Sequence, residues 1–184
     1  MQPTPIWFLD IDGVINALRD KRSPRHAEYE VTEVTVYDAG IVARYPIHYR
    51  PAVVDLINRV HRDGLAEVRW LTTWGWHART TFAPAVGLDG FTVAAEPPLA
   101  GPTRAPWSPD WWKLAVIREQ ASDRFVFTDD DARRPSRKTL RSLPGESLVI
   151  TPLKTIGLDD AHLNRIVAFL TAETRPDTAE EPTP

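Results

Sequence analysis

The sequence predicts an α/β chain: one parallel five-stranded sheet with helices on both faces, in a single three-layer sandwich. Three observations carry this. Short apolar runs that read as strands alternate with segments of helical periodicity, the pattern of a parallel sheet with helical crossovers. Two of those runs end directly in acids, at Asp10 and at Asp129. The 184 residues, 42% hydrophobic and 26% charged, suffice for one domain with a real core but not comfortably for two.

The bulk numbers narrow the function classes. A net charge of −3 argues against a generally basic nucleic-acid binder, though not against a local basic patch. Cysteine is absent, which excludes disulfides and thiolate-ligated zinc. No basic stretch followed by a long apolar run opens the chain, so the expectation is a cytoplasmic protein with no membrane span.

Taken in order, Ile6–Leu9 is a buried strand whose end carries Asp10, with Asp12 one residue beyond and Gly13 permitting a tight turn. Residues 17–28 are polar and basic and read as a loop. Residues 29–37 alternate with period two, Asp38-Ala39-Gly40 is a turn, and residues 41–49 return. Together they predict a β-hairpin over 29–49, with Pro46 placing the return strand at an edge. Pro51 opens a helix with an apolar stripe of Val53, Val54, Leu56, Ile57 and Val60, stopped by Gly64. Residues 66–71 form the second core strand and run into Thr72-Thr73; a helix follows over 76–85. Residues 91–95 are a third short core strand, and 96–109, rich in Pro, Gly and Ala, are a loop. Asp110 can cap a helix over 111–121. Residues 124–128 are the fourth core strand and enter Asp129-Asp130-Asp131. A short basic helix over 136–142, a fifth core strand over 147–151 and a last amphipathic helix bearing Leu163, Ile166, Val167 and Leu170 complete the domain.

These elements predict a Rossmann-like fold over residues 1–173, with core strands in the order 3-2-1-4-5, a hairpin flap and no large cap domain. Residues 174–184, acidic and Pro-rich, read as a disordered tail. Right-handed crossovers bring the strand ends bearing Asp10, Thr72 and Asp129 to one edge, where open α/β sheets bind ligands. Carboxylates at the open end of a buried strand are costly unless a cation or a reaction uses them.

Four features occur in chain order: Asp10 with Asp12 in D-I-D-G-V-I-N, Thr72 in W-L-T-T, Lys113 in D-W-W-K, and Asp129 with Asp130 in F-V-F-T-D-D. Each alone is weak; four in order at strand ends and a helix start are strong. This pattern resembles the haloacid dehalogenase (HAD) superfamily, over roughly residues 6–170, and in particular its capless phosphatases, among them phosphatase modules of nucleic-acid repair proteins. The resemblance implies a Mg²⁺-dependent phosphomonoesterase. Asp10 would be the nucleophile, giving an aspartyl-phosphate. Asp12 would protonate the leaving oxygen and then deprotonate water. Thr72 and Lys113 would hold the phosphoryl oxygens. Asp10, the Asp12 backbone carbonyl, Asp129 and Asp130 would hold Mg²⁺. An acid at Asp12 favours phosphatase or phosphotransferase chemistry over the dehalogenase and transport-ATPase branches of that superfamily.

Some alternatives stay open. Thr72 or Thr73 could cap the next helix, and either could bind phosphate. Trp70, Trp74, Trp76, Trp107, Trp111 and Trp112 flank the second and third motifs and read as core or rim packing more than as a stacking wall for a substrate. An open mouth suits a phosphate on a large molecule, and two basic clusters flank it: one with Arg22 and Arg25, the other with Arg134 and Arg137. They would guide a polyanion such as a nucleic-acid end. The rival readings are a small-molecule phosphatase and a non-catalytic binding or regulatory module on the same fold.

Overall fold

The computed structural model describes residues 3–19, 27–38, 40–98, 111–132, 134–143 and 145–172. The proposed acidic tail and Asp110 lie outside these residues. In chain order the elements are β1 (Ile6–Leu9), β2 (Glu30–Asp38), β3 (Ile41–Tyr49), α1 (Pro51–Arg62), β4 (Glu67–Trp70), a π-helical segment (Ala78–Phe82) running into α2 (Ala83–Val86), β5 (Thr92–Val93), α3 (Trp112–Gln120), β6 (Arg124–Thr128), α4 (Arg134–Arg141), β7 (Glu146–Ile150) and α5 (Asp160–Thr171).

β1 is central because it is apolar on both faces. All four of its residues are buried, and it pairs in parallel with β4 on one side and β6 on the other. β5 and β7 extend the sheet outward, giving the order β5-β4-β1-β6-β7. These chain-order labels differ from a bare 3-2-1-4-5 because the hairpin strands take β2 and β3. The alternation of β1 side chains sorts the core into two layers. Trp7 and Leu9 pack with Val53, Val54 and Ile57 of α1 and Leu163 and Ile166 of α5. Ile6 and Phe8 pack on the other face with Leu114 and Ile117 of α3 and Leu140 of α4. An α/β arrangement with both sheet faces covered follows, consistent with a Rossmann-like fold.

Local chemistry sets the helix limits. Pro51 sits in the first turn of α1, where its missing N–H costs nothing. Asp159 caps α5, accepting from the His162 backbone N–H at 2.9 Å while the His162 ring reaches back to the cap. The helix predicted over 76–85 is present from Trp76, but its middle, Ala78–Phe82, is π-helical, with the Thr80 hydroxyl donating to the Trp76 carbonyl at 3.1 Å.

β2 and β3 form a separate antiparallel pair, with Val36 opposite Ala43 and Val34 opposite Tyr45. Val34 and Ile47 anchor its inner face in the core. Val31, Tyr37 and Val42 are exposed. No helix among the described residues is long and apolar enough to cross a membrane.

Candidate functional site

The sheet ladder continues past the named strands and delivers the site residues. The Asp10 backbone N–H donates to the Thr128 carbonyl at 3.1 Å, Leu71 to Leu9 at 2.9 Å, and Asp129 to Ile150 at 3.1 Å. The ends of β1, β4 and β6 therefore lie side by side. Beyond Asp10 the chain coils sharply: the Ile11 carbonyl accepts from the N–H groups of Val14, Ile15 and Asn16. Gly13 makes this coil possible with φ of +70°, a conformation that costs an L side chain. A Cβ there would also overlap the Asp130 carboxyl group, so the first and fourth motifs meet at this glycine.

Lys113, in the first turn of α3, is the electrostatic centre. Its Nζ donates to Asp10 Oδ2 and to Asp129 Oδ2, both at 2.6 Å. Lys113 is 3% exposed, Asp10 7% and Asp129 0%, so these are charge-assisted bonds in a screened interior. The remaining oxygens are also used. Asp10 Oδ1 accepts from the Ile11 N–H at 2.7 Å, and Asp129 Oδ1 from the Asp131 N–H at 2.8 Å. The two carboxylates keep Lys113 charged by raising its pKa against burial. Burial, joined by the Asp10 charge, pushes Asp129 up to about 8 despite the pull of Lys113. Burial and the neighbouring Asp10 and Asp131 push Asp130 up to about 6. Burial and the shortage of positive charge around these acids both disfavour full ionisation of Asp129 and Asp130.

Carboxylate oxygens of Asp10, Asp129 and Asp130 lie within 4.8 Å of one another. Three hard oxygen donors with no sulfur or imidazole fit Mg²⁺ or a similar cation, which would also cure the charge imbalance. The Asp12 side chain stands apart from this trio. Its Oδ1 accepts from Asn16 Nδ2 at 2.8 Å and its Oδ2 from Trp74 Nε1 at 2.8 Å. Asn16 is itself fixed by the His48 backbone N–H on β3, at 3.0 Å. The carboxylate is thus aimed by two donors, one tied to the flap and one following the second motif.

The sequence-predicted residues fall as follows. Asp10, Asp12, Lys113, Asp129 and Asp130 line one cavity of about 300 Å³ together with Thr73. Thr72 is not among the residues lining it: it is 1% exposed, with its hydroxyl accepting from the Trp74 N–H at 3.4 Å. β4 ends at Trp70, and Thr72 and Thr73 lie in the bend and turn beyond it, where it is Thr73 that lines this cavity. Arg22 and Arg25 lie outside the described residues, as do Trp107 and the side chains of Arg134 and Arg137. Trp70 is wholly buried and packs on Phe82 and Phe91; Trp111 and Trp112 stand over the Lys113 ammonium at 5.5 and 5.9 Å. Sequence pattern alone does not pair Asn16 or Trp74 with Asp12. The available signal was chemical: an indole N–H near a buried site needs an acceptor.

No family model, no curated protein and no solved structure matches this chain.

Proposed function

We propose that this protein is a Mg²⁺-dependent phosphomonoesterase of the HAD type. The observation that carries the reading is the buried group of Asp10, Lys113 and Asp129, with Asp130 beside it and Asp12 held separately at the same cavity. A structural ion pair does not need three clustered acids and a fourth aimed beside them. Carboxylates with such divided surroundings are the pattern of acid–base and nucleophilic work.

The Asp10, Asp129 and Asp130 side chains, with the Asp12 backbone carbonyl, would hold the cation. When bound, it would neutralise charge between the phosphate and the acids. Asp10 attacks phosphorus, and the P–O bond to the leaving group breaks as Asp12 gives its proton to the departing oxygen. Lys113 keeps positive charge beside the attacking carboxylate, and the Thr73 hydroxyl offers the phosphoryl oxygens a donor. Asp12 then takes a proton from water, whose oxygen attacks the phosphorus of the aspartyl-phosphate. The bond to Asp10 breaks, inorganic phosphate leaves, and both acids return to their starting states.

A panel of aryl phosphates, sugar phosphates, nucleotides and 3′- or 5′-phosphorylated oligonucleotides tests this, with Mg²⁺ or with excess chelator. Phosphate release from some panel member in Mg²⁺ alone is expected. No release from any member, or equal release in chelator, refutes it.

A further inference from the structure

The cavity of the acids is not the largest opening on this edge. A second compartment of about 430 Å³ lies under the inner face of the hairpin. Asp12 and Thr73 line both spaces, so the two meet at the residue assigned to protonate the leaving oxygen. A leaving group protonated by Asp12 would have this second compartment beside it.

Apolar and aromatic side chains make most of its wall. Val36, Ile41, Ala43 and Tyr45 come from β2 and β3, facing Trp74 and His77. No lysine or arginine is among the described residues lining it, and Asp12 is its one carboxylate. Trp74 is fixed on three sides. Its Nε1 donates to Asp12 Oδ2 at 2.8 Å, and its ring lies 5.3 Å from that of Tyr45 and 5.5 Å from that of Phe82. An indole locked in this way is a preformed flat surface that loses little entropy on binding. Ile41 is 69% exposed and Tyr45 44% exposed. Apolar side chains gathered at a mouth in this way mark a binding surface, and the volume is that of a small-molecule site.

We infer that this compartment receives the leaving group, and that the substrate is a small phosphomonoester whose alcohol carries a flat, uncharged aromatic ring. The inference rests on the phosphomonoesterase reading and names its substrate class. A phosphorylated nucleic-acid end fits less well, because its flanking phosphates would meet Asp12 and apolar walls with no described cation to receive them. The ring stacks on Trp74 between the hairpin and the π-helical segment, and its ester oxygen rests at Asp12.

The test compares 2-phenylethyl phosphate with ethyl phosphate in Mg²⁺. Both have alkyl leaving oxygens, so the ring is the difference. Burying the ring should raise kcat/KM about 10- to 100-fold over ethyl phosphate. Ala43→Trp, which fills the compartment from β3, should bring that ratio to within about threefold of unity if the ring binds there. Calorimetric titration of Asp10→Asn protein with both esters reads the same preference without turnover. Equal kcat/KM and equal affinity for the two esters overturn the inference while leaving the phosphatase reading intact. The inference also fails if a phosphorylated oligonucleotide exceeds 2-phenylethyl phosphate tenfold or more in kcat/KM. If neither ester nor any member of the wider phosphate panel is hydrolysed, the phosphatase reading fails, and the titration still decides whether the ring has a place.

Discussion

Replacing Lys113 with methionine isolates the electrostatics of the site. The change keeps a long unbranched side chain and removes the charge. In the native chain the ammonium lies 2.6 Å from oxygens of both Asp10 and Asp129. Without it, two buried carboxylates face each other, with Asp130 alongside. For ionised oxygens 4.8 Å apart, the outer limit of this cluster, the repulsion of one pair is about 3.5 kcal/mol at an effective dielectric of about 20. Loss of one partner from a buried ion pair costs a similar amount, about 3–5 kcal/mol. For a chain of this size that is a fall of about 6–20 °C in Tm.

The conditions decide whether the cost is seen. At pH 8 in chelator the acids are most fully ionised, and the loss should be greatest. At pH 5.5 protons occupy Asp129 and Asp130, which are pushed up to about 8 and about 6 in the native chain, so the gap between variant and wild type should narrow. Millimolar Mg²⁺ at pH 8 should narrow it too, by supplying the missing charge. Thermal denaturation followed by circular dichroism in the three buffers gives the comparison. A variant within about 1 kcal/mol of wild type in chelator at pH 8 would show that Lys113 does not neutralise the acids, and a gap indifferent to Mg²⁺ would remove the metal from the account.

Two further outcomes follow from the same geometry. In metal-free wild-type protein, Asp129 and Asp130 hold protons that the unfolded chain, with carboxyl groups near 3.8, has released; their contribution to stability therefore falls as pH rises from about 4 to about 8. Tm in chelator should drop over the lower part of that window, from about pH 4 to about pH 6, less steeply in Asp130→Asn than in wild type, and an unchanged slope would contradict the assignment. Trp74→Phe keeps an aromatic ring between Tyr45 and Phe82 but loses the donor to Asp12. Its kcat should fall about tenfold for an alkyl phosphate and much less for nitrophenyl phosphate, whose leaving group needs little proton assistance; equal losses would argue against Asp12 as the proton donor.

The parts of this protein that were legible from sequence are those written in local pattern. β1 reads as a buried central strand because four consecutive apolar residues end in an acid. α1 reads from Pro51 and its apolar stripe, and the hairpin from the period-two pattern over 29–37 and the turn residues at 38–40. What local pattern does not carry is which groups meet across the fold. Lys113 lies 103 residues from Asp10, and Trp74 lies 62 from Asp12; only the crossovers that place β1, β4 and β6 side by side make them neighbours. Thr72 and Thr73 lie in the bend and turn beyond β4, where no strand alternation tells from sequence which of them faces the cavity. The compartment under the hairpin was illegible for a related reason. Val36, Ala43 and Tyr45 read as one face of a strand pair, and nothing local says that Trp74 stands opposite. The π-helical turn at Ala78–Phe82 shares the apolar spacing of an ordinary helix over so short a length, so periodicity does not separate the two.

The central claim is that Asp10 carries the phosphoryl group during turnover, and one measurement addresses it. Protein turning over an aryl phosphate in Mg²⁺ is quenched with acid, and borohydride then reduces any acyl phosphate to an alcohol. Peptide mass spectrometry reads position 10. The account predicts homoserine at this position in wild-type protein, none in chelator, and none in Asp10→Asn, which should also release no phosphate. Sustained hydrolysis with Asp10 unmodified in the quenched protein, or turnover at the wild-type rate by Asp10→Asn, would contradict it.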